Sequence, residues 1–177
     1  MKLISKQWLG IILITAVLFT GCKNDRSQLT LLSPDGNVQL ALTLDAAHKP
    51  QYSVVFNKQV ILSESALSLE LKSGYFTEGF VITKVKRTSI NNIYDLVVGK
   101  TSRARNHYNQ IEIDLKGITS AGKLGLVFRA YDDGVAFRYL IPEQSTIDSF
   151  KIISENSEFR FTENYRCWVL ELENFNT

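Results

Sequence analysis

Residues 103–110 carry the densest group of side chains that could do chemistry, in the order Arg-Ala-Arg-Asn-His-Tyr-Asn-Gln. Guanidinium, imidazole and amide groups offer hydrogen-bond donors and acceptors to sugar hydroxyls, and a tyrosine ring offers a flat face to the C–H side of a sugar. In the structural alternative, Arg105, Asn106 and His107 hydrogen-bond loop carbonyls and brace a long connection ahead of a strand that begins at Ile111. Composition alone favours the bracing role.

Other side chains with catalytic or metal-binding chemistry are few. The sequence contains no Gly-x-Ser-x-Gly elbow, no Gly-rich phosphate loop, no Cys-x-x-Cys and no His-Glu-x-x-His. Glycoside hydrolysis uses paired carboxylates, but Asp132 and Asp133 occupy a turn, where aspartate usually bonds the backbone. Glu171 and Glu173 would share one strand face and could hold Ca²⁺, although a solvated face is the commoner explanation. His48 lies in a turn and is interpreted as solvated, so we assign no catalytic residue and no metal ligand.

The elements that must position these residues are strands. After residue 28 the apolar residues alternate, most clearly in 38–44, 67–71, 111–115, 124–130 and 135–139. We predict further strands at residues 29–32, 52–56, 60–62, 80–87, 93–98, 150–153, 158–161 and 167–172. No window after residue 28 sustains a helical period over ten residues. The fold is therefore predicted to be all-β, an antiparallel β-sandwich of about a dozen short strands.

Two turns have characteristic residues. In Ser33-Pro34-Asp35-Gly36-Asn37, Gly36 is predicted to adopt a positive φ. Asp132-Asp133-Gly134 is predicted to form a three-residue hairpin loop with Gly134 in the left-handed region. The aromatic residues Tyr75, Phe76, Phe80 and Trp168 are predicted to lie in the core, and Cys167 to be a small packed side chain.

Composition excludes several classes of protein. The chain has 177 residues, 20 Lys+Arg against 18 Asp+Glu, 45% hydrophobic residues and 2 Cys. It has too much apolar surface to be disordered and too little cysteine to be stapled by disulfides. Mixed charges argue against a nucleic-acid partner.

Residues 1–21 are predicted to be a secretory signal. A basic start precedes an apolar run of 12 residues from Trp8 to Phe19, which is shorter than the roughly 18 to 20 residues that span a bilayer. Leu18-Phe19-Thr20-Gly21-Cys22 resembles a bacterial lipobox, so Cys22 is expected to carry lipid; an uncleaved anchor is the alternative. Residues 22–28 are then a tether, and Lys23 favours the outer membrane, on either its periplasmic or its surface face.

Cleavage at this site would change the charge. Removing the first 21 of 177 residues takes away Lys2 and Lys6 and leaves 156 residues with 18 basic and 18 acidic side chains. Any charge-based function must therefore lie in a local patch.

Four segments together resemble the N-terminal domain of glycoside hydrolase family 97. They are Ser33-Pro34-Asp35-Gly36, Lys49-Pro50-Gln51-Tyr52-Ser53-Val54, Arg105-Asn106-His107-Tyr108-Asn109, and Phe128-Arg129-Ala130-Tyr131-Asp132-Asp133-Gly134-Val135-Ala136-Phe137-Arg138-Tyr139. They follow the family's order with similar spacing, and the likeness covers residues 29–177. It implies a β-super-sandwich similar to mutarotase-like domains, which in the family precedes a catalytic (β/α)₈ barrel.

The resemblance also implies a function. The family hydrolyses α-glucosides or α-galactosides with the help of calcium, using carboxylates on the barrel. That barrel is missing from the chain, and the family's strands continue past Cys167, so we expect an incomplete domain that is non-catalytic by itself. Arg105, Asn106, His107 and Asn109 are carried over as substrate-binding or barrel-facing candidates.

Three hypotheses follow from the sequence. In the first, the chain is the carbohydrate-associated N-terminal domain of a secreted α-glycosidase. In the second, it is a free-standing surface lipoprotein that binds glycans. In the third, it is a remnant whose unpaired strand edges make it fold poorly. The expected partners are carbohydrate, outer-membrane lipid through Cys22 and the catalytic barrel domain.

Overall fold

The computed structural model describes residues 28–72, 76–119, 122–144 and 149–168, and all regular elements in these ranges are strands. The predicted signal segment 1–21, Cys22, Tyr75, Glu171 and Glu173 lie outside the described residues. The strands are β1 (Leu29–Leu32), β2 (Val38–Leu44), β3 (Pro50–Phe56), β4 (Gln59–Ala66), β5 (Leu69–Leu71), β6 (Phe80–Asp95), β7 (Arg103–Gly117), β8 (Lys123–Tyr131), β9 (Gly134–Leu140) and β10 (Ile152–Glu155). Within the described ranges no helix is long and apolar enough to cross a membrane.

Two four-stranded antiparallel sheets form the body of the molecule. The first sheet has the order β1-β2-β3-β4 and the second β6-β7-β8-β9, so each is a simple meander. A third, two-stranded sheet pairs β5, which follows β4 in the chain, with the last strand, β10. The predicted all-β antiparallel sandwich is confirmed.

The segment after β10 runs beside β4 without forming a strand. The Ser63 N–H donates to the Arg160 carbonyl at 2.9 Å, and the Thr162 N–H donates to the Ile61 carbonyl at 3.2 Å. Only an isolated bridge joins Leu62 to Phe161. The strand predicted at residues 158–161 is therefore wrong, because the apolar residues there cover an edge without pairing continuously.

The core lies between the two sheets. It combines β2 and β3 side chains from one sheet with β7 and β8 side chains from the other. Tyr52, Phe128 and Phe137 form a ring cluster, with centroids 6.0 Å apart for Tyr52–Phe128 and 5.7 Å for Phe128–Phe137. The Tyr52 hydroxyl donates to the Glu158 carbonyl at 2.9 Å, which ties the late segment to the core. Burial raises the pKa of Tyr52 to about 12.

The second sheet contains one unexpected element. The sequence predicted two strands at residues 80–87 and 93–98, but β6 is continuous from Phe80 to Asp95 and pairs with β7 throughout. β8 pairs with β7 only as far as Asn109. Residues 90–95 and 103–108 therefore pair only with each other, as a two-stranded arm whose base, at His107 and Tyr108, is still packed against the β8–β9 hairpin. The 103–110 segment, predicted as a connection, is a strand because its backbone pairs with β6 along its whole length.

Two predictions of buried residues near the end of the chain are wrong. Trp168 is 91% exposed, and Cys167 is an exposed free thiol rather than a packed side chain. Neither residue lies in a strand. Phe76 and Phe80 are buried as predicted.

The turn predictions have mixed outcomes. Gly36 has a φ of 77°, as predicted. Gly134, in contrast, is not among the positive-φ residues; it pairs with Tyr131 as the first residue of β9. The hairpin loop therefore consists of Asp132 and Asp133 alone, and the three-residue left-handed prediction is wrong.

Candidate functional site

Three of the segments that carried the resemblance meet at one corner of the sandwich. This corner comprises the turn after β1, the β8–β9 turn and the middle of β7. Oδ1 of Asp132 accepts the backbone N–H of Asp35 at 2.9 Å. Oδ2 of Asp132 lies 3.8 Å from Nδ1 of His107. One carboxylate thus contacts both sheets.

Asp35 organises its own turn. Its carboxylate accepts a hydrogen bond from the Ser33 hydroxyl, one from the Asn37 N–H at 3.0 Å and one from the Asn37 side-chain amide at 2.7 Å. These donors, the Ser33 hydroxyl foremost, hold the pKa of Asp35 below its ordinary value of 3.8. The Ser33 oxygen also accepts the Val38 N–H at 3.0 Å, which links the turn to β2.

His107 is the partly buried centre of the corner. Its Nδ1 is a buried side-chain nitrogen without a hydrogen-bond partner, a condition shared by no other side chain in the described ranges. The ring as a whole is 28% exposed. Unpaired buried polar atoms are uncommon, and the Asp132 carboxylate approaches this nitrogen to 3.8 Å without forming a hydrogen bond.

The pleat of β7 divides the four candidate residues. Arg105, His107 and Asn109 share a face with the core residue Ile111, whereas Asn106 lies on the opposite, outward face. The described structure therefore does not bring the four side chains into one cluster.

Two of the four make hydrogen bonds consistent with bracing. Asn109 accepts from the Ser89 hydroxyl at 2.6 Å, and its amide donates to the Leu32 carbonyl at 2.9 Å, across to the edge of β1. Nε of Arg105 donates to the Asn91 side chain at 3.0 Å on the projecting arm. The Asn109 bond caps a free strand edge, which is a common way to protect it from unwanted pairing.

The sequence did not predict an ordered network on the outward face of the second sheet. The Arg129 guanidinium lies 4.4 Å from the centroid of the Tyr108 ring, and that ring lies 5.1 Å from Tyr131. Gln110 accepts from Nε of Arg129 at 2.8 Å and donates to Glu112 at 2.7 Å. The sequence signal for this network is the series of aromatic and polar residues at the alternate positions 108, 110 and 112. It can be recognised only if residues 103–110 are assigned to a strand.

The described residues offer no metal centre of their own. No group of three His, Cys, Asp or Glu side chains lies close enough to hold an ion within these ranges. The calcium implied by the resemblance therefore has no ligand set in the described part of the chain.

Comparisons with known proteins agree with this fold. Residues 31–177 match the family model described as Glycosyl-hydrolase 97 N-terminal. A retaining alpha-galactosidase from Bacteroides thetaiotaomicron is 29% identical over 150 residues, which cover 84% of this chain and 21% of that protein.

Solved structures give the same result. A glycoside hydrolase family 97 enzyme (E480Q) from Pseudoalteromonas sp. strain K8, in complex with panose, superposes with a TM-score of 0.71 at 29% identity, over 76% of this chain and 20% of that one. A beta-arabinopyranosidase superposes with a TM-score of 0.70 at 32% identity, over 75% of this chain and 21% of that one.

The fold and corner thus define an antiparallel β-sandwich domain of the kind found in carbohydrate-active enzymes. The chain belongs to the N-terminal domain family of glycoside hydrolase family 97. It spans about a fifth of the length of the relatives it matches.

Proposed function

We propose that this chain acts as the carbohydrate-associated, non-catalytic N-terminal domain of a secreted α-glycosidase that hydrolyses α-glucosides or α-galactosides. The proposal rests on the match of residues 31–177 to the N-terminal family model. The chain covers about a fifth of the length of the relatives that it matches. The relatives include a retaining alpha-galactosidase and an enzyme solved with panose and with acarbose.

The chemistry of the described residues supports a non-catalytic role. Its most organised carboxylates, Asp35 and Asp132, are occupied by backbone and side-chain donors at a turn. A glycosidase acid needs a raised pKa, whereas the pKa of Asp35 is lowered. The corner therefore stabilises the fold rather than activating water.

A domain exchange tests this function. The chain would replace the matched region of the Bacteroides thetaiotaomicron alpha-galactosidase, and galactoside hydrolysis by the hybrid would be measured. We expect an active hybrid and no activity from the chain alone. A hybrid that is folded by circular dichroism yet inactive would contradict the proposal.

A free-standing glycan-binding lipoprotein is the second candidate. The outward position of Asn106, partly exposed on the same face as Tyr108 and Tyr131, favours it. On this hypothesis Asn106→Ala weakens binding of an α-glucan without lowering thermal stability. Asn109→Ala is the matched control, because it removes the bond to Leu32 and lowers stability instead.

Location and cofactor are further proposals. We place the mature chain in the outer membrane through lipid on Cys22, which incorporation of labelled palmitate and its loss in Cys22→Ser would test. Calcium is proposed only for a complete enzyme, with ligands outside the described residues.

A further inference from the structure

The outward face of the second sheet, which we call the basic face, concentrates positive charge. Register and pleat place six basic and two acidic side chains of the described strands on this face. They are Lys84, Lys86, Lys116, Lys123, Arg129 and Arg138, with Glu112 and Asp114. Glu143 lies at its end, beside Lys123.

The outward face of the first sheet has a different character. Its positions on β2 and β3 carry no charged side chain in these described strands. They are Gln39, Ala41, Thr43, Gln51, Ser53 and Val55. The concentration of basic side chains is therefore not repeated on these two strands of the first sheet, and its edge strand β4 carries the exposed acid Glu64.

Four of the six cations are not held in a close ion pair, although Lys84 lies opposite Asp114 in the register of β6 and β7. Lys86 lies 3.5 Å from Glu112, but Lys84, Lys116, Lys123 and Arg138 make no side-chain ion pair or hydrogen bond with the residues that the structure describes. Neighbouring strands lie about 4.8 Å apart and same-face residues on one strand about 7 Å apart, so these charges form a flat grid. Such a grid attracts an extended polyanion.

The basic face also has features that suit a sugar ring. A recess of about 510 Å³ beside Gly125 is lined by Lys116 and Lys123, and also by the acidic residues Asp114 and Glu143. A Cβ on Gly125 would lie 3.0 Å from the Cβ of Leu140, so a larger residue would crowd this floor. Farther along the face, Tyr131 is partly exposed beside the Arg129-capped Tyr108 ring.

We propose that the basic face binds an acidic polysaccharide, a chain of sugars bearing carboxylates. The proposal rests on the carbohydrate association of the proposed function and adds the chemical class of the ligand. The unpaired lysines and Arg138 contact carboxylates, and the recess and Tyr131 accept the less polar faces of the sugars. A neutral glucan gains nothing from the cations and binds more weakly.

Affinity electrophoresis of the full chain through polygalacturonate tests the inference. We expect retardation in low-salt buffer, weakening at high salt, and little retardation by neutral amylopectin. The double variant Lys84→Gln/Lys123→Gln should lose about tenfold in affinity. The control Lys100→Gln/Lys151→Gln removes the same charge from exposed positions off this face and should bind nearly as the parent does.

Three results would overturn the inference. They are no retardation by polygalacturonate at low salt, equal losses in the two double variants, and equally tight binding of poly-L-glutamate or single-stranded DNA, which would mean that any polyanion suffices. Near-ultraviolet circular dichroism of both variants checks that they remain folded. An active domain-exchange hybrid combined with no polygalacturonate binding would reject this inference and leave the proposed function standing.

Discussion

Asp132 accepts the backbone N–H of Asp35 at 2.9 Å, joining the two sheets across 97 positions of sequence. The same carboxylate lies 3.8 Å from Nδ1 of His107. Three motifs that are far apart in sequence therefore depend on one side chain.

Replacing Asp132 with alanine tests the corner. We expect a loss of about 1 kcal/mol in the free energy of unfolding, because the Asp35 N–H loses its acceptor and His107 loses the carboxylate that lies 3.8 Å away. Urea denaturation measures it. Asp133→Ala is the control, since that neighbouring side chain makes no hydrogen bond within the described residues. Equal losses in the two variants would contradict the assignment.

The pH dependence of stability tests the environment of Asp35. Its folded pKa is lowered, so its contribution is present above the unfolded pKa and is lost as pH falls through 3.8 and below. We expect Asp35→Ala to be less stable than the parent near neutrality and the gap to narrow in acid. A gap that stays constant down to the acid limit would show that the charge of Asp35 plays no part.

Two glycines in turns should respond oppositely to alanine. Gly36 has a φ of 77°, where a Cβ is strained, so Gly36→Ala should cost about 1 kcal/mol. Gly134 lies in extended backbone, and nothing lies within 4 Å of an added Cβ. Gly134→Ala should therefore be neutral or stabilise by up to about 1 kcal/mol. Thermal melts compare the pair, and a larger loss at Gly134 would restore the left-handed loop that the sequence predicted.

Alkaline unfolding tests the burial of two tyrosines. Burial raises the pKa of both Tyr52 and Tyr139 to about 12, against an ordinary value of 10. Because the unfolded chain loses these protons first, stability is complete below pH 10 and falls as pH rises towards 12. Tyr52→Phe should weaken this dependence, at a cost of about 1 kcal/mol near neutrality for its lost bond to Glu158. Tyr94→Phe, at a half-exposed ring, should leave the alkaline profile unchanged.

Strand alternation predicted the fold where a core enforces it. Val38–Leu44 is a strand with the predicted bounds, because Leu40 and Leu42 must face the second sheet. The projecting arm was not predicted as a continuous hairpin, since the residues between Thr88 and Asn92 do not alternate between apolar and polar side chains although they pair with β7 throughout. The hydrophobic pattern of a segment indicates a strand only where one face of that strand is buried.

The candidate site was likewise predicted only in part from the sequence. His107 was singled out from composition, and it does lie at the corner where three motifs meet. The separation of Asn106 from its neighbours depends on residues 103–110 being extended, which places successive side chains on opposite faces. The basic face required the register of four strands, and no single segment of sequence contains it.

Hydrolysis by the purified chain tests the central claim most directly. Release of nitrophenol from nitrophenyl α-glucoside and α-galactoside would be followed, with the full-length Bacteroides thetaiotaomicron alpha-galactosidase as the positive control. We predict no release above buffer, because the chain matches an N-terminal domain family and spans about a fifth of the length of its enzyme relatives. Turnover by the chain that disappears on replacing Asp132, Glu112 or another of its carboxylates would contradict the assignment of a non-catalytic domain.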